Sequence, residues 1–184
     1  MTNVRNLRLG GVLEITPKRF ADARGFFSET YNAAGLAGAG IDLVFVQDNH
    51  SLSTAAGVLR GLHYQLPPFA QAKLVRVVRG AILDIAVDIR KSSPTFGKWV
   101  SLEVSAEKWN QILVPIGFAH GFVTLVENTE VIYKVTSPYS PAQDRCVRFD
   151  DPAIGIEWPT FHNGLVLSDK DRNAPLLVEA EIFD

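Results

Sequence analysis

Residues 57–135 consist of short apolar segments rich in strand-forming residues, and glycine or proline separates each segment from the next. The clearest segment is 82–89, where apolar residues alternate so that Leu83 and Ile85 share one face and Asp84 and Asp88 the other. Many short strands joined by such turns are typical of a β-sandwich or barrel, whereas a βαβ fold needs helical segments between its strands. The sequence therefore predicts an all-β fold with a few short helices.

The segments outside this region complete the predicted domain. Residues 12–15 predict a first strand, and 31–40, rich in alanine and glycine, can hold one short helix. Residues 43–46 predict a buried strand that leads into the polar run 47–51, which suits a cavity lining or a loop. Residues 150–184 contain turn elements and predict a C-terminal wrap on the barrel. We expect residues 1–184 to form one domain, with N-terminal strands and this wrap.

The composition limits the classes of partner. With 47% hydrophobic and 21% charged residues, the chain has the composition of an ordinary globular protein. The formal charge of −2 provides no global field for nucleic acid or an anionic membrane, so an anionic ligand needs locally placed Arg and Lys. No long apolar run or signal-like segment occurs, which predicts a cytoplasmic protein. Four histidines and one cysteine, Cys146, restrict metal chemistry.

The segment 57–65, GVLRGLHYQ, places an arginine and a histidine in a stretch otherwise suited to burial. In a regular strand His63 and Arg60 point to opposite faces, although the two glycines allow a bulge or the close approach of a ligand. From this stretch alone, a structural and an acid/base role for His63 are both open. The next apolar strand carries Lys73 on the same face as its valines, and a cation in a buried row requires an anion.

Other charged residues have ordinary explanations when each is taken alone. Arg24 and Glu29 flank a turn with aromatic residues, and residues 169–171 form an Asp-Lys-Asp run; both patterns are typical of solvated turns. Asp84 stays open between two roles: it can polarise a neighbouring histidine or lysine, or it can face solvent on a half-buried strand.

Five motifs follow one another along the chain: GVLRGLHYQ at 57–65, QAKLVRV at 71–77, DIAVDIR at 84–90, SPTFG at 93–97 and PIGFAHGF at 115–122. Together they resemble the dTDP-4-dehydrorhamnose 3,5-epimerase family. Each motif alone is weak, but their order and spacing are specific, and the resemblance runs from about residue 12 to about residue 175.

The resemblance implies a cupin-type jelly roll that forms a homodimer. The missing second histidine of the cupin motif and the cation of Lys73 predict that activity needs no metal, and no other cofactor is expected. The resemblance also implies an epimerase that inverts C3 and C5 of a dTDP-linked 4-keto-6-deoxy sugar through an enolate, in dTDP-L-rhamnose or related deoxysugar biosynthesis. By the same resemblance His63 is the catalytic base, Tyr133 the acid and Asp171 the carboxylate paired with the base, while Lys73 lies beside the sugar. The substrate-binding positions carried over from the family are Arg24, Glu29, Gln47, Asn49, Arg60, His120, Asp144 and Lys170.

These residue types suit the chemistry that the resemblance implies. A hydrogen next to a ketone can be removed if a base reaches it and the enolate oxygen meets positive charge or hydrogen-bond donors, which His63 and Lys73 provide. Inversion requires a second group on the opposite side of the sugar, such as the Tyr133 hydroxyl. A diphosphate is the anion that Arg24, Arg60 and Lys170 require.

Three alternatives stay open. A relative that epimerises only C3 or only C5 would share these motifs. A metal-dependent cupin oxygenase would fit residues 115–120, but the first cupin motif needs paired histidines and a glutamate, and Lys73 opposes a divalent ion. A non-enzymatic sugar-nucleotide binder would keep the arginines without needing an opposed His63 and Tyr133.

Overall fold

A computed structural model describes residues 3–184, and its main elements are two antiparallel sheets. The six-stranded sheet has the order β1-β2-β10-β7-β12-β5. Its strands are β1 (Asn3–Asn6), β2 (Leu13–Thr16), β5 (Gln47–Ser53), β7 (Lys73–Arg79), β10 (Gln111–Val114) and β12 (Thr129–Val135).

The five-stranded sheet has the order β13-β6-β11-β8-β9. Its strands are β6 (Leu59–Gln65), β8 (Ala81–Asp88), β9 (Trp99–Ser105), β11 (Phe118–Thr124) and β13 (Asp144–Cys146). A separate hairpin joins β3 (Phe20–Asp22) to β4 (Gly25–Phe27), and the helices are α1 (Ala33–Gly38) and α2 (Asp169–Arg172). This is the all-β jelly-roll arrangement that the sequence predicts.

The main core lies between the two sheets. Val75 and Val131 of the six-stranded sheet pack there with Ile82, Ala86 and Phe122 of the five-stranded sheet. Because the strands alternate, each sheet also has an outer apolar face that needs a cover. The helix α1 and the segment after it cover the six-stranded sheet, and the C-terminal tail covers the five-stranded sheet.

The C-terminal tail is a wrap, as expected, and it is fixed by hydrogen bonds as well as apolar contacts. Leu177 packs into the outer core, and its backbone N–H donates to the buried Asp151 carboxylate at 2.6 Å. The Tyr64 hydroxyl donates to the carbonyl of Glu181 at 2.6 Å. The first bond joins two parts of the tail, the second ties the tail to β6, and α2 lies within this tail.

A bulge in β6 changes the direction of its side chains. His120 of β11 pairs with His63, but Phe122, two residues later, pairs with Arg60, so Gly61 and Leu62 of β6 oppose the single residue Gly121 of β11. Gly61 has φ +147°, and a Cβ at this position would lie 2.5 Å from the Cα of Gly121. The two strands can approach this closely only because both facing residues are glycine. The bulge therefore turns Arg60 to the same cavity as His63, whereas strict alternation predicts opposite faces.

Three local expectations are wrong or incomplete. Residues 43–46 form no strand; β5 begins at Gln47, and Val44 and Val46 are 74% and 57% exposed. The strand β1 is present in addition to the expected first strand. The strand β8 is buried on both faces: the tail covers the face with Ile85, and Asp84 lies on the other face, between the two sheets, where it does not meet solvent. Within residues 3–184, neither helix is long and apolar enough to cross a membrane.

Candidate active site

Two adjoining cavities lie against β6 and share His63, Lys73 and Tyr133 in their linings. The inner one has a volume of about 440 Å³ and the outer one about 270 Å³. Together they are large enough for a ligand of several rings. Histidine, lysine and tyrosine at the junction of two cavities place acid/base groups where two parts of one ligand would meet.

His63 is held by a carboxylate from the tail. Its Nε2 lies 2.5 Å from Oδ1 of Asp171, and the histidine side chain is 31% exposed while that of Asp171 is 4% exposed. Burial raises the pKa of Asp171, but bonds from His63, Ser168 and the Gly61 N–H outweigh this effect and keep the pKa below its usual range. Asp171 is thus a charged acceptor that fixes one nitrogen of an accessible imidazole.

The short helix α2 explains how Asp171 reaches this position. Ser168 is its N-cap: the Oγ accepts from the backbone N–H of Asp171 at 3.2 Å. Successive residues of a helix point about 100° apart, so Lys170 and Asp171 face different parts of the site. Asp171 lines the inner cavity and Lys170 the outer one.

Lys73 is a buried cation at the junction of the cavities. Lys73 is 9% exposed, and its Nζ donates to the carbonyl of His63 at 3.2 Å. Burial lowers the pKa of Lys73 to about 8, and the charges of Asp84 and Asp144 act against that shift. Lys73 can therefore carry positive charge near neutral pH while offering protons to an oxygen in the cavity.

His120 belongs to a second histidine–aspartate pair, deeper in the inner cavity. Its Nε2 lies 3.0 and 2.9 Å from the two carboxylate oxygens of Asp84, which is fully buried. The two residues are on neighbouring strands, β11 and β8. Of the two roles left open for Asp84, the structure shows contact with a histidine and no exposure to solvent.

Tyr133 approaches from the opposite wall. It lies on β12 of the six-stranded sheet, whereas His63 lies on β6 of the five-stranded sheet, and both line the inner cavity. Burial raises the pKa of Tyr133, and the charge of Arg60 partly offsets this. The hydroxyl is therefore protonated at neutral pH and faces a base across the space between the sheets.

The outer cavity contains four of the eight predicted substrate-binding residues, Gln47, Asn49, Asp144 and Lys170. Gln47 donates to Asn49 at 2.9 Å and accepts from the backbone N–H of Tyr139 at 3.0 Å. Lys170 is paired with Asp144; burial lowers the pKa of this lysine, but the pairing outweighs burial and raises it. This cavity therefore offers amides and a lysine that a polar or anionic ligand could engage.

Arg60 is exposed and lines the inner cavity, and its guanidinium makes contacts of 3.4 Å to Ser53 and to the carbonyl of Leu52. These contacts are long for hydrogen bonds, which leaves its donors available to an anion. Arg24 and Glu29 line neither cavity of the chain. Arg24 is instead bonded to Asp22 within the exposed β3–β4 hairpin.

Sequence reasoning missed two residues of the site. Tyr139 lines the outer cavity and donates to Asp144 at 3.2 Å; its signal was an aromatic residue within a run of serine and proline. Ser168 lines the inner cavity and contacts Asp171, and its signal was a helix-capping residue just before the Asp-Lys-Asp run. Among residues 3–184, no three His, Cys, Asp or Glu side chains are grouped as metal ligands.

Comparison with known proteins finds a family model and relatives that match nearly the whole chain. The family model for dTDP-4-dehydrorhamnose 3,5-epimerase matches residues 6–179. The chain is 52% identical to the dTDP-4-dehydrorhamnose 3,5-epimerase of Shigella flexneri over 182 residues, which cover 98% of this chain and 99% of that protein.

Solved structures are similar over nearly the whole chain. The Legionella pneumophila dTDP-6-deoxy-D-glucose-3,5-epimerase, in complex with dTDP-4-keto-L-rhamnose, is 43% identical with a TM-score of 0.93, covering 97% of this chain and 94% of that one. The 3'-monoepimerase ChmJ of Streptomyces bikiniensis, in complex with dTDP-quinovose, is 37% identical with a TM-score of 0.86, covering 94% and 86%. The chain therefore belongs to the dTDP-4-dehydrorhamnose 3,5-epimerase family.

Proposed function

We propose that the protein is an epimerase that inverts C3 and C5 of a dTDP-linked 4-keto-6-deoxy sugar, in dTDP-L-rhamnose or related deoxysugar biosynthesis. The observation that carries the proposal is the placement of His63 and Tyr133 on facing sheets of one cavity that also contains Lys73. A base and an acid on opposite sides of a ring are what inversion at a carbon requires.

In the proposed reaction His63 removes the proton from a carbon next to the C4 ketone. The electron pair of that C–H bond forms a double bond to C4, and the π electrons of the C4 carbonyl move onto its oxygen, which gives an enolate. The Asp171 carboxylate, 2.5 Å from Nε2 of His63, supports the imidazolium that forms. Lys73 is the buried cation in the same cavity and stabilises the developing negative charge.

Tyr133 then donates its hydroxyl proton to the same carbon from the other side. The enolate returns to the ketone, the configuration of that carbon is inverted, and the enzyme is left with an imidazolium and a phenolate. Transfer of one proton from His63 to Tyr133 through solvent restores both groups. The partial exposure of the His63 side chain, 31%, supports this exchange.

The nucleotide end of the substrate is proposed to lie in the outer cavity and at its rim. Arg60 and Lys170 supply charge-assisted hydrogen bonds to the diphosphate, and Gln47 and Asn49 supply amides. Lys170 is paired with Asp144 in the unliganded protein, so an incoming phosphate would share or replace that carboxylate. His120 lies beside the sugar in the inner cavity.

We also propose that the protein is a homodimer in which Arg24 and Glu29 act on the partner's site. They lie near the hairpin β3–β4, away from both cavities of their own chain. Phe26 and Phe27 of this hairpin are 53% and 70% exposed, and large exposed aromatic side chains favour a partner surface. Sedimentation analysis of the wild type and of a Phe27→Glu variant tests the assembly. A monomeric wild type would contradict it.

The alternative of inversion at one carbon has a specific basis, because the similar ChmJ is described as a 3'-monoepimerase. Incubation with dTDP-4-keto-6-deoxyglucose in deuterated buffer, followed by proton NMR, separates the two. A double epimerase exchanges and inverts both C3 and C5. Exchange at one carbon alone would support the single-carbon reaction, and no exchange at either would contradict the proposed function.

Activity is proposed to need no metal or other cofactor, and an assay after treatment with a strong chelator tests this. A loss of activity that one divalent ion restores would favour the oxygenase class instead. A cytoplasmic location, and the absence of membrane and nucleic-acid partners, stay predictions from the composition.

A further inference from the structure

The buried carboxylate of Asp84 has no direct role in the proposed reaction. Asp84 is fully buried, and it shares a face of β8 with Ile82 and Ala86, which belong to the core between the sheets. It is absent from the linings of both cavities, so it lies behind His120 and does not reach a ligand. A buried carboxylate is costly unless it is paired, so its position calls for a physical reason.

The geometry between Asp84 and His120 restricts the imidazole. Both carboxylate oxygens lie within hydrogen-bond distance of the same nitrogen, Nε2, at 3.0 and 2.9 Å. The carboxylate therefore takes the Nε2–H, and Nδ1 is the nitrogen that His120 can offer to a ligand in the inner cavity. Removing the carboxylate would free the ring to change both its orientation and its tautomer.

The charges around Lys73 give Asp84 a second effect. Burial raises the pKa of Asp84, and the charges of His120 and Lys73 act against that shift. In its charged form Asp84 in turn favours the charged form of Lys73, which burial by itself disfavours. Asp144 also favours that form, but it is already paired with Lys170. Asp84 is a nearby carboxylate that is paired with a histidine, His120, and not with another lysine.

We propose that Asp84 is a positioning residue of the site, which fixes the ring orientation and the tautomer of His120 at the wall of the inner cavity. Its charge also acts on Lys73, which lines the same cavity. This deepens the proposed function and rests on it in one respect: a cationic Lys73 matters for turnover because it stabilises the enolate. The effect on the two side chains themselves does not depend on any substrate.

Other charged and titratable groups face the same region and have to be considered. On β9, Leu102 lies opposite Asp84, and Glu103 is exposed and paired with Lys108 at 3.0 Å. The ionisable groups that line the cavities from the remaining elements are Arg60, His63 and Tyr64 on β6, Tyr133 on β12, Tyr139 after it, Asp144 on β13, and Lys170 and Asp171 on α2. Asp171 is bonded to His63 and Asp144 to Lys170, whereas Asp84 is the carboxylate bonded to His120.

The test variant is Asp84→Asn, and the strand offers a matched control in Asp88→Asn. Asp88 is also fully buried on the same face of β8, but it accepts from Arg90, Ser93 and Thr95 and lines neither cavity. Both variants remove a buried carboxylate from one strand. A merely structural role of Asp84 would therefore give both variants the same behaviour, namely lower stability with an unchanged pH profile.

Three measurements decide the proposal. NMR titration of the Lys73 side chain, without substrate, should place its pKa near 8 in the wild type and in Asp88→Asn, and lower in Asp84→Asn, by about one unit or more. Because Lys73 is protonated below its pKa, the fall of kcat at alkaline pH should move to lower pH in Asp84→Asn alone. The nitrogen shifts of His120 should show a proton on Nε2 in the wild type and a changed tautomer in Asp84→Asn.

An unchanged Lys73 titration together with an unchanged His120 tautomer in Asp84→Asn would overturn the proposal, as would an equal shift in Asp88→Asn. If Asp84→Asn does not fold, the wild type still decides: a His120 ring protonated on Nδ1 alone overturns the proposal, and one protonated on Nε2 supports it. Altered NMR titrations with an unmoved pH profile of kcat would keep the positioning role and contradict the proposed role of Lys73 in catalysis.

Discussion

The inner cavity contains two histidine–aspartate pairs that are built in different ways. In the pair His63–Asp171 the carboxylate comes from the C-terminal tail, 108 residues away, and the histidine side chain is 31% exposed. In the pair His120–Asp84 both residues lie on adjacent strands, and their side chains are 7% and 0% exposed.

This difference separates two tasks that a histidine–aspartate pair can perform. An accessible imidazole can take a proton from a substrate and return it to water, whereas a buried one exchanges protons poorly and is better suited to holding a fixed orientation. The pair on the tail is also the one that a local movement of the tail could break. The comparison therefore assigns proton transfer to His63 and positioning to the pair of Asp84 and His120.

The largest effect should come from His63→Ala. Without the base nothing starts enolisation, so both turnover and incorporation of solvent deuterium should fall by about 100- to 10,000-fold. His120→Gln, in the other pair, should lower the rate while leaving deuterium exchange detectable. Proton NMR in deuterated buffer measures both variants. Deuterium exchange near the wild-type rate in His63→Ala would contradict the assignment. If His120→Gln in addition lost all exchange, the roles of the two pairs would be reversed.

Removal of the Tyr133 hydroxyl tests whether the pair His63–Asp171 acts alone on its side of the sugar. Tyr133→Phe keeps the ring and its packing, so His63 can still remove a proton and return deuterium from the same side. We expect inversion at C5 to fall by about 100-fold or more while exchange continues. The same NMR assay reports both processes, and inversion of C5 at the wild-type rate would show that another group donates the second proton.

The two pairs also show what the sequence could and could not predict. The strand pattern and the spaced motifs around His63 were sufficient for the jelly roll and for the family. The contact between His63 and Asp171 followed from the resemblance, because no local periodicity connects a strand to a tail residue 108 positions away. The role of Asp84 stayed open because alternation in 82–89 does not say which face of the strand lies between the two sheets; Asp84 is on that face with Ile82 and Ala86, and the tail covers the opposite face.

Two other features were beyond local sequence reasoning for physical reasons. Strict alternation places Arg60 and His63 on opposite faces, and only the pairing with β11 shows the bulge that brings both to the cavity. Residues 43–46 have strand-forming side chains, but β12 pairs only from Gln47 onward, and Val44 and Val46 are left exposed. Partner strands, rather than propensity, decided both cases.

Neutralising Asp171 should have a smaller effect than removing the base it holds. In Asp171→Asn the imidazole loses the carboxylate at 2.5 Å that orients it and supports its positive charge, and we expect kcat to fall on the order of 100-fold. Asp169→Asn is the matched control, since Asp169 lies on the same helix, is exposed and lines neither cavity. Steady-state kinetics compare the two variants. Equal kcat values for both would mean that the tail carboxylate does not assist His63.

The smallest of these effects should appear in Arg60→Ala, which belongs to neither pair but reaches their cavity through the bulge. Its guanidinium makes only 3.4 Å contacts to Ser53 and Leu52, so truncation should cost little stability. Loss of a hydrogen bond to a charged phosphate should weaken dTDP binding by roughly 1.5–3 kcal/mol, which is about 10- to 150-fold in Kd.

Calorimetry with dTDP measures the loss of affinity in Arg60→Ala, and Arg79→Ala is the control, because it removes an exposed arginine that lines neither cavity. Because exposed charges are screened by salt, added salt should weaken binding more in the wild type than in Arg60→Ala. Equal dTDP affinity in wild type and Arg60→Ala would place the diphosphate elsewhere, and the bulge would then serve only to direct His63.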